Sequence, residues 1–110
     1  MSRRLFIVKE WGYYREVLDN GLPGGDGMGV ILYNSIQDAT RVYLTGDMFN
    51  GRFDATRAKR PYVAFEIEVD GLEARPFFPI PGDTDFMAWG MSDAIGPERI
   101  IDAYRFGSPV

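Results

Sequence analysis

The chain has 110 residues and contains neither histidine nor cysteine, which narrows the chemistry its side chains could perform. Thiol nucleophiles, imidazole bases, Ser-His-Asp arrangements, disulfides and Cys/His zinc sites are excluded. Acid and base work would fall to carboxylates and tyrosines. Glu66-Ile67-Glu68 puts two carboxylates on one face of a strand-like run. That spacing could position a nucleophile and stabilise a cation, although two solvated side chains on a half-exposed strand look the same. Asp83 and Asp85 lie in the proline-rich stretch FFPIPGDTD, where a loop could hold a carboxylate over a cleft or simply expose it. Tyr43 and Thr45 are two apart in RVYLT. In a strand they would share a face, and the plain alternative for Tyr43 is a core aromatic.

The elements that must carry these groups follow from periodicity. Leu5 to Val8 is a short apolar run that predicts a buried strand at the start, with Lys9 and Glu10 marking its exit. From Trp11 the apolar positions Tyr14, Val17, Leu18 and Leu22 recur at helical spacing opposite Arg15, Glu16 and Asp19. Asn20-Gly21 ends that helix. Gly21 to Gly29 holds five glycines and a proline but has neither GxGxxG nor P-loop spacing, so it reads as a surface loop, with a lid over a site as the alternative.

Val30 to Tyr33 is a short apolar run, and Ser35 with Asp38 three residues on predicts a short capped helical turn. Arg41 to Thr45 is expected to return as a strand. A second helix should then run from Met48 to Arg60, with Met48, Phe49, Phe53 and Ala58 on one side and Arg52, Arg57, Lys59 and Arg60 on the other. This local basic patch fits a solvated face or a complement to the helix dipole, and Pro61 stops the helix.

Tyr62 to Val69 alternates, predicting a strand with Val63, Phe65, Ile67 and Val69 in the core and Glu66 and Glu68 on a partly wet face. Asp70-Gly71 reads as a hairpin-type turn leading to a return strand, Leu72 to Phe78. Phe86 to Met91 and Ile100 to Phe106 are the last strands, separated by the Gly96-Pro97 turn. The pattern predicts one α+β domain over residues 1–110, with mostly antiparallel sheets and the helices in the first half.

A net charge of −4 argues against general attraction to nucleic acid or anionic membrane, which clustered cations would supply. The apolar run Leu5 to Val8 is too short for a secretory signal. No run approaches the roughly 20 apolar residues that would span a bilayer, so a soluble, cytoplasmic protein is expected.

The order LFIV, helix, Asn20-Gly21-Leu22, Val42-Tyr43-Leu44-Thr45, helix, VAFEIEVDGL over 63–72 and finally Ile95-Gly96-Pro97-Glu98-Arg99-Ile100 resembles small members of the ADP-ribosyltransferase-like superfamily. Those proteins run from a strand with a ligand-binding His through a helix ending in Gly-Leu, a VYLT-like strand and a helix. A VEVDGL-like strand and a proline turn followed by Glu, a variable residue and Ile complete them. The resemblance covers most of the chain after residue 4. It implies split antiparallel β-sheets around a nicotinamide-nucleotide cleft, and a His, Tyr, Glu triad in active members.

Carried over by position, the resemblance gives Tyr43 the role of stacking on nicotinamide and places Ile7 where the His would be. The Glu would be expected near Asp85, Met87 and Ala88, and of these only Asp85 could act. Lys9, Thr45 and Arg52 would complete the cofactor-binding set. An Arg, Ser, Glu variant of the site would use Arg4 with Glu66 and Glu68. With two of three triad positions altered, ordinary ADP-ribosyl transfer is not expected. The implied protein is a degenerate relative that binds NAD, a related nucleotide or a macromolecule through the old cleft.

Two other readings stand beside it. One is an active transferase with a non-standard set built from Lys9, Tyr43 and Asp85 or Glu66. The other is a small interaction protein, of the phage-inhibitor or immunity-factor kind. Its contact patch would be Phe77, Phe78, Phe86, Met87, Trp89 and Met91, since Trp, Phe and Met are enriched at interfaces.

Overall fold

The structure is a computed structural model that describes residues 3–22, 30–44, 59–78, 82 and 84–106. Its elements are β1 (Arg4–Glu10), a 3₁₀ turn (Trp11–Tyr13), α1 (Tyr14–Asn20), β2 (Val30–Tyr33), α2 (Ile36–Leu44), β3 (Tyr62–Glu68), β4 (Ala74–Phe77) and β5 (Ala88–Met91). A second 3₁₀ turn (Pro97–Arg99) leads into β6 (Ile100–Phe106). The fold is α+β, as the sequence predicts.

The strands form one antiparallel sheet in the order β4-β5-β2-β1-β3-β6. The described strands are therefore not the split pair that the resemblance implies. The reason is β1, which pairs with β2 along one side and with all seven residues of β3 along the other, and so joins the two halves. The return strand after Asp70-Gly71 also differs from expectation. β4 does not fold back on β3 but pairs with β5 at the far edge of the sheet.

Alternation sends side chains to two faces, and both are covered. On one face Leu5, Ile7, Val63, Phe65 and Ile67 pack with Val17 of α1, and Tyr14 stacks on Phe65 at 6.4 Å between centroids. On the other face Val8, Tyr33, Ala64 and Ala88 pack with Ala39 of α2. Phe65 is fully buried, and a side chain of that size contributes about 1.5–3 kcal/mol on burial. β3 is thus buried on both faces, where its pattern predicts one wet face. Even Glu66 is only 8% exposed.

The largest local correction concerns Arg41 to Leu44, expected as a strand and found as the last turn of α2. Ser35 caps this helix, its Oγ accepting from the Asp38 N–H at 3.1 Å. The turn predicted there then continues, because Ile36, Ala39, Val42 and Tyr43 recur at helical spacing and all reach the core. Burial of that stripe outweighs the weak strand propensity of Val-Tyr-Leu. The predicted helix Met48 to Arg60 and the glycine-rich loop lie outside the described residues, apart from Lys59, Arg60, Gly21 and Leu22.

At the end of α1, Gly21 has φ 74°. A Cβ there would run into the backbone carbonyl of Ile95. Only glycine allows the paired bonds that follow, Leu22 N–H to Ile95 O and Ile95 N–H to Leu22 O, both 2.8 Å.

Candidate functional site

Between α2 and the β1, β3 and β6 part of the sheet lies an open, mainly apolar groove of about 710 Å³. Its floor is aromatic. Phe6 comes from β1, and Tyr62 and Phe106 are directly opposite each other in the β3·β6 ladder, their rings 5.8 Å apart and nearly parallel. Ile36, Thr40 and Leu44 of α2 form the wall, and Asn34, Gln37 and Arg41 bring polar groups to the lining.

Beyond Phe6 on the same sheet face sits a partly buried polar cluster centred on Glu66. Phe6 is the register partner of Glu66. Arg4 Nη1 donates to Glu66 Oε2 at 2.7 Å, and the Tyr104 hydroxyl donates to Glu66 Oε1 at 2.9 Å. The bond to Glu66 is the chief cause that pushes the Tyr104 hydroxyl above its ordinary pKa, with desolvation and the nearby carboxylates adding to it. Each oxygen of Glu66 is engaged by its own donor. The arrangement suits a structural carboxylate better than a general base, which would have to accept a substrate proton.

The structure disperses the residues singled out in the sequence. Tyr43 lies on α2, half-buried, with its ring 5.3 Å from that of Tyr62. It is not on a strand, because Val42-Tyr43-Leu44 is helical. Ile7 is a core residue on the α1 face. Lys9 lines a separate recess of about 270 Å³ with Tyr13, Glu16 and Asn20. Asp85 is exposed ahead of β5. Thr45, Arg52 and Asp83 lie outside the described residues.

The proposed contact patch is also broken up. Met91 and Phe86 are buried, while Phe77 and Met87 are half-buried. Trp89 donates its indole N–H to Asn34 Oδ1 at 2.8 Å and lies under the Arg3 guanidinium, 4.0 Å from the ring centroid. Phe78 alone of the six is exposed, at 49%.

No protein-family model matches the chain, and no curated protein matches it significantly. Among the described residues no helix is long and apolar enough to cross a membrane, and no cluster of three or more acidic side chains could hold a metal ion.

Three of the segments that carry the resemblance meet in space. Gly21-Leu22 bridges Ile95. The Arg99 guanidinium of Gly96-Pro97-Glu98-Arg99 donates to the carbonyls of Asp70 at 2.9 Å and Glu68 at 3.3 Å. These motifs therefore hold the turn after β3 against the end of α1, a role in folding. Sequence reasoning missed Phe106, Tyr104 and Ile36 as partners in the groove and its cluster. The Ser35 cap was the available signal for Ile36. Nothing local signals the β3·β6 register that brings Tyr104 to Glu66.

Proposed function

We propose that the chain is a non-catalytic binding domain of ADP-ribosyltransferase-like descent that takes NAD or a related nucleotide in the groove beside α2. The observation that carries this reading is the aromatic floor of Phe6, Tyr62 and Phe106 in an open recess of about 710 Å³. Small-molecule sites of about 300–1,000 Å³ are lined this way, with a few polar groups to fix orientation. A flat nicotinamide or adenine ring suits the aromatic surface. Asn34, Gln37 and Arg41 supply donors for ribose and phosphate oxygens.

The descent rests on the order of the motifs along the sequence, from Gly21-Leu22 through Val63 to Leu72 to the Gly96-Pro97 turn. The absence of a catalytic role rests on the dispersal of Ile7, Lys9, Tyr43 and Asp85 and on the double engagement of Glu66.

Thermal unfolding with increasing NAD tests the proposal. Ligand at about 100 times its Kd stabilises the native state by about 2.7 kcal/mol, which is expected to raise Tm. Thr40→Trp, which fills the groove from α2, is expected to abolish the rise and leave the ligand-free Tm little changed. A flat response at millimolar NAD would remove the nucleotide, and release of nicotinamide by the wild-type chain would overturn the non-catalytic part.

A further inference from the structure

The two edges of the sheet are built differently. β4 is four residues long, carries Pro76, which has no N–H to offer, and exposes Arg75. Such features blunt an edge against pairing. β6 is seven residues long, Ile100–Phe106, with no proline or glycine; its ladder with β3 is regular from Asp102 to Phe106 and shifts register at Ile101. Among the described strands it pairs on one side only, with β3. Ile101 and Phe106 on it are 41% and 37% exposed. The Ala103 N–H donates to Asp102 Oδ1 at 2.8 Å, so a side chain of the strand itself occupies a donor that an incoming strand would use.

We propose that β6 is a strand-addition site for an extended segment of another protein, whose charges complement Asp102 and Arg105. Main-chain bonds would supply affinity, and alternate side chains would supply selection. Asp102 lies on the α2 face, opposite a Glu66 already paired with Arg4, and its exposed carboxylate calls for a basic partner residue there. Arg105 lies on the other face, its guanidinium 4.6 Å from the Trp11 ring centroid, and calls for an acidic one. Ile101 and Phe106 call for apolar partners.

A second copy of the chain does not meet these demands. In a two-fold antiparallel pairing each residue keeps its face. Asp102 and Arg105, three positions apart, therefore never meet across such an axis. The segment that fits an antiparallel addition reads, from the position opposite Phe106, apolar, acidic, two uncharged residues, basic, apolar.

The test uses an acetylated, labelled peptide, Val-Glu-Thr-Ser-Arg-Val between serines, followed by fluorescence anisotropy and by amide shifts of the isotope-labelled chain. The largest shifts are expected at Ala103 and Arg105. The charge-swapped peptide Val-Arg-Thr-Ser-Glu-Val is expected to bind about tenfold more weakly, since opposite charges across a ladder stabilise it and like charges oppose it. Ala103→Pro is expected to abolish binding. If that variant does not fold, Asp102→Arg, an exposed change, is expected to move the preference to Val-Glu-Thr-Ser-Glu-Val. Equal affinity for all the peptides, shifts confined to other strands, or a concentration-dependent dimer that protects the β6 amides would each overturn the proposal. All of these readouts are taken on the nucleotide-free chain, and the charge swap reports on Asp102 and Arg105, which do not line the groove.

Discussion

Arg4 is directly opposite Glu68 in the β1·β3 ladder, yet its guanidinium reaches diagonally to Glu66, 2.7 Å away. The Glu66 side chain is 11% exposed and that of Arg4 is 50% exposed, so the two ends of the pair differ in what their removal does. Arg4→Ala leaves a carboxylate that water and Tyr104 still partly satisfy and is expected to cost about 1 kcal/mol. Glu66→Ala removes the acceptor of both donors and opens space beside Phe6, for about 2–3 kcal/mol. Urea unfolding of both single variants and the double variant measures the coupling. Equal single losses would contradict the asymmetry.

Gly21→Ala is expected to be among the most damaging single-methyl changes in the chain. The added Cβ meets the Ile95 carbonyl and the backbone of Gly96 and Pro97, and φ is 74°. Backbone strain of this kind costs about 1–3 kcal/mol, and the clash adds to it. The Tm of Gly21→Ala against that of Gly12→Ala, where a Cβ meets nothing within 4 Å, isolates the effect.

Tyr33 gives the fold an alkaline limit. Burial pushes its hydroxyl up from 10.0 to about 12. Between those values the unfolded chain has lost the proton and the folded chain keeps it, so rising pH favours unfolding. The contribution of Tyr33 is fully present below about pH 10 and is lost by about 2–3 kcal/mol as the pH approaches 12. Tyr33→Phe is expected to flatten that part of the stability profile. An unchanged alkaline slope between wild type and variant would place the limit on other groups.

Arg99→Ala removes two bonds to carbonyls at the exit of β3. A loss of about 1–2 kcal/mol is expected, with faster hydrogen exchange concentrated at Leu72, whose amide donates to the Val69 carbonyl within this turn, and at Val69, whose amide donates to the Arg3 carbonyl beside it. Loss spread evenly over the sheet would show that Arg99 holds more than the turn.

The sequence makes legible whatever is decided locally. Leu5 to Val8, the helix closed by Gly21, the Ser35 turn, Tyr62 to Val69 and Ile100 to Phe106 all carry their own periodicity, and all are elements of the structure. Arg41 to Leu44 reads as a strand in isolation because a four-residue run of β-prone side chains says nothing about the cap six residues earlier that extends a helix through it. The joining of the two half-sheets by β1, the placing of β4 at the far edge and the meeting of Glu66 with Tyr104 depend on pairings distant in sequence. Glu66 stood out as a carboxylate on a strand. That its partners would be Arg4 and Tyr104 is set by registers on both sides of β3, which no single stretch encodes.

The place of β1 in the middle of the sheet has a consequence for biosynthesis. β1 leaves the ribosome before both of the strands that flank it, and its bond from Arg4 closes to a residue 62 positions downstream. The nascent chain therefore presents an apolar ribbon, Leu5 to Val8, with no mate on one side until β3 has been translated. Closing such long loops is slow, so chaperone demand should be greatest while residues 30–60 are being made and should fall once Val69 is clear of the exit tunnel.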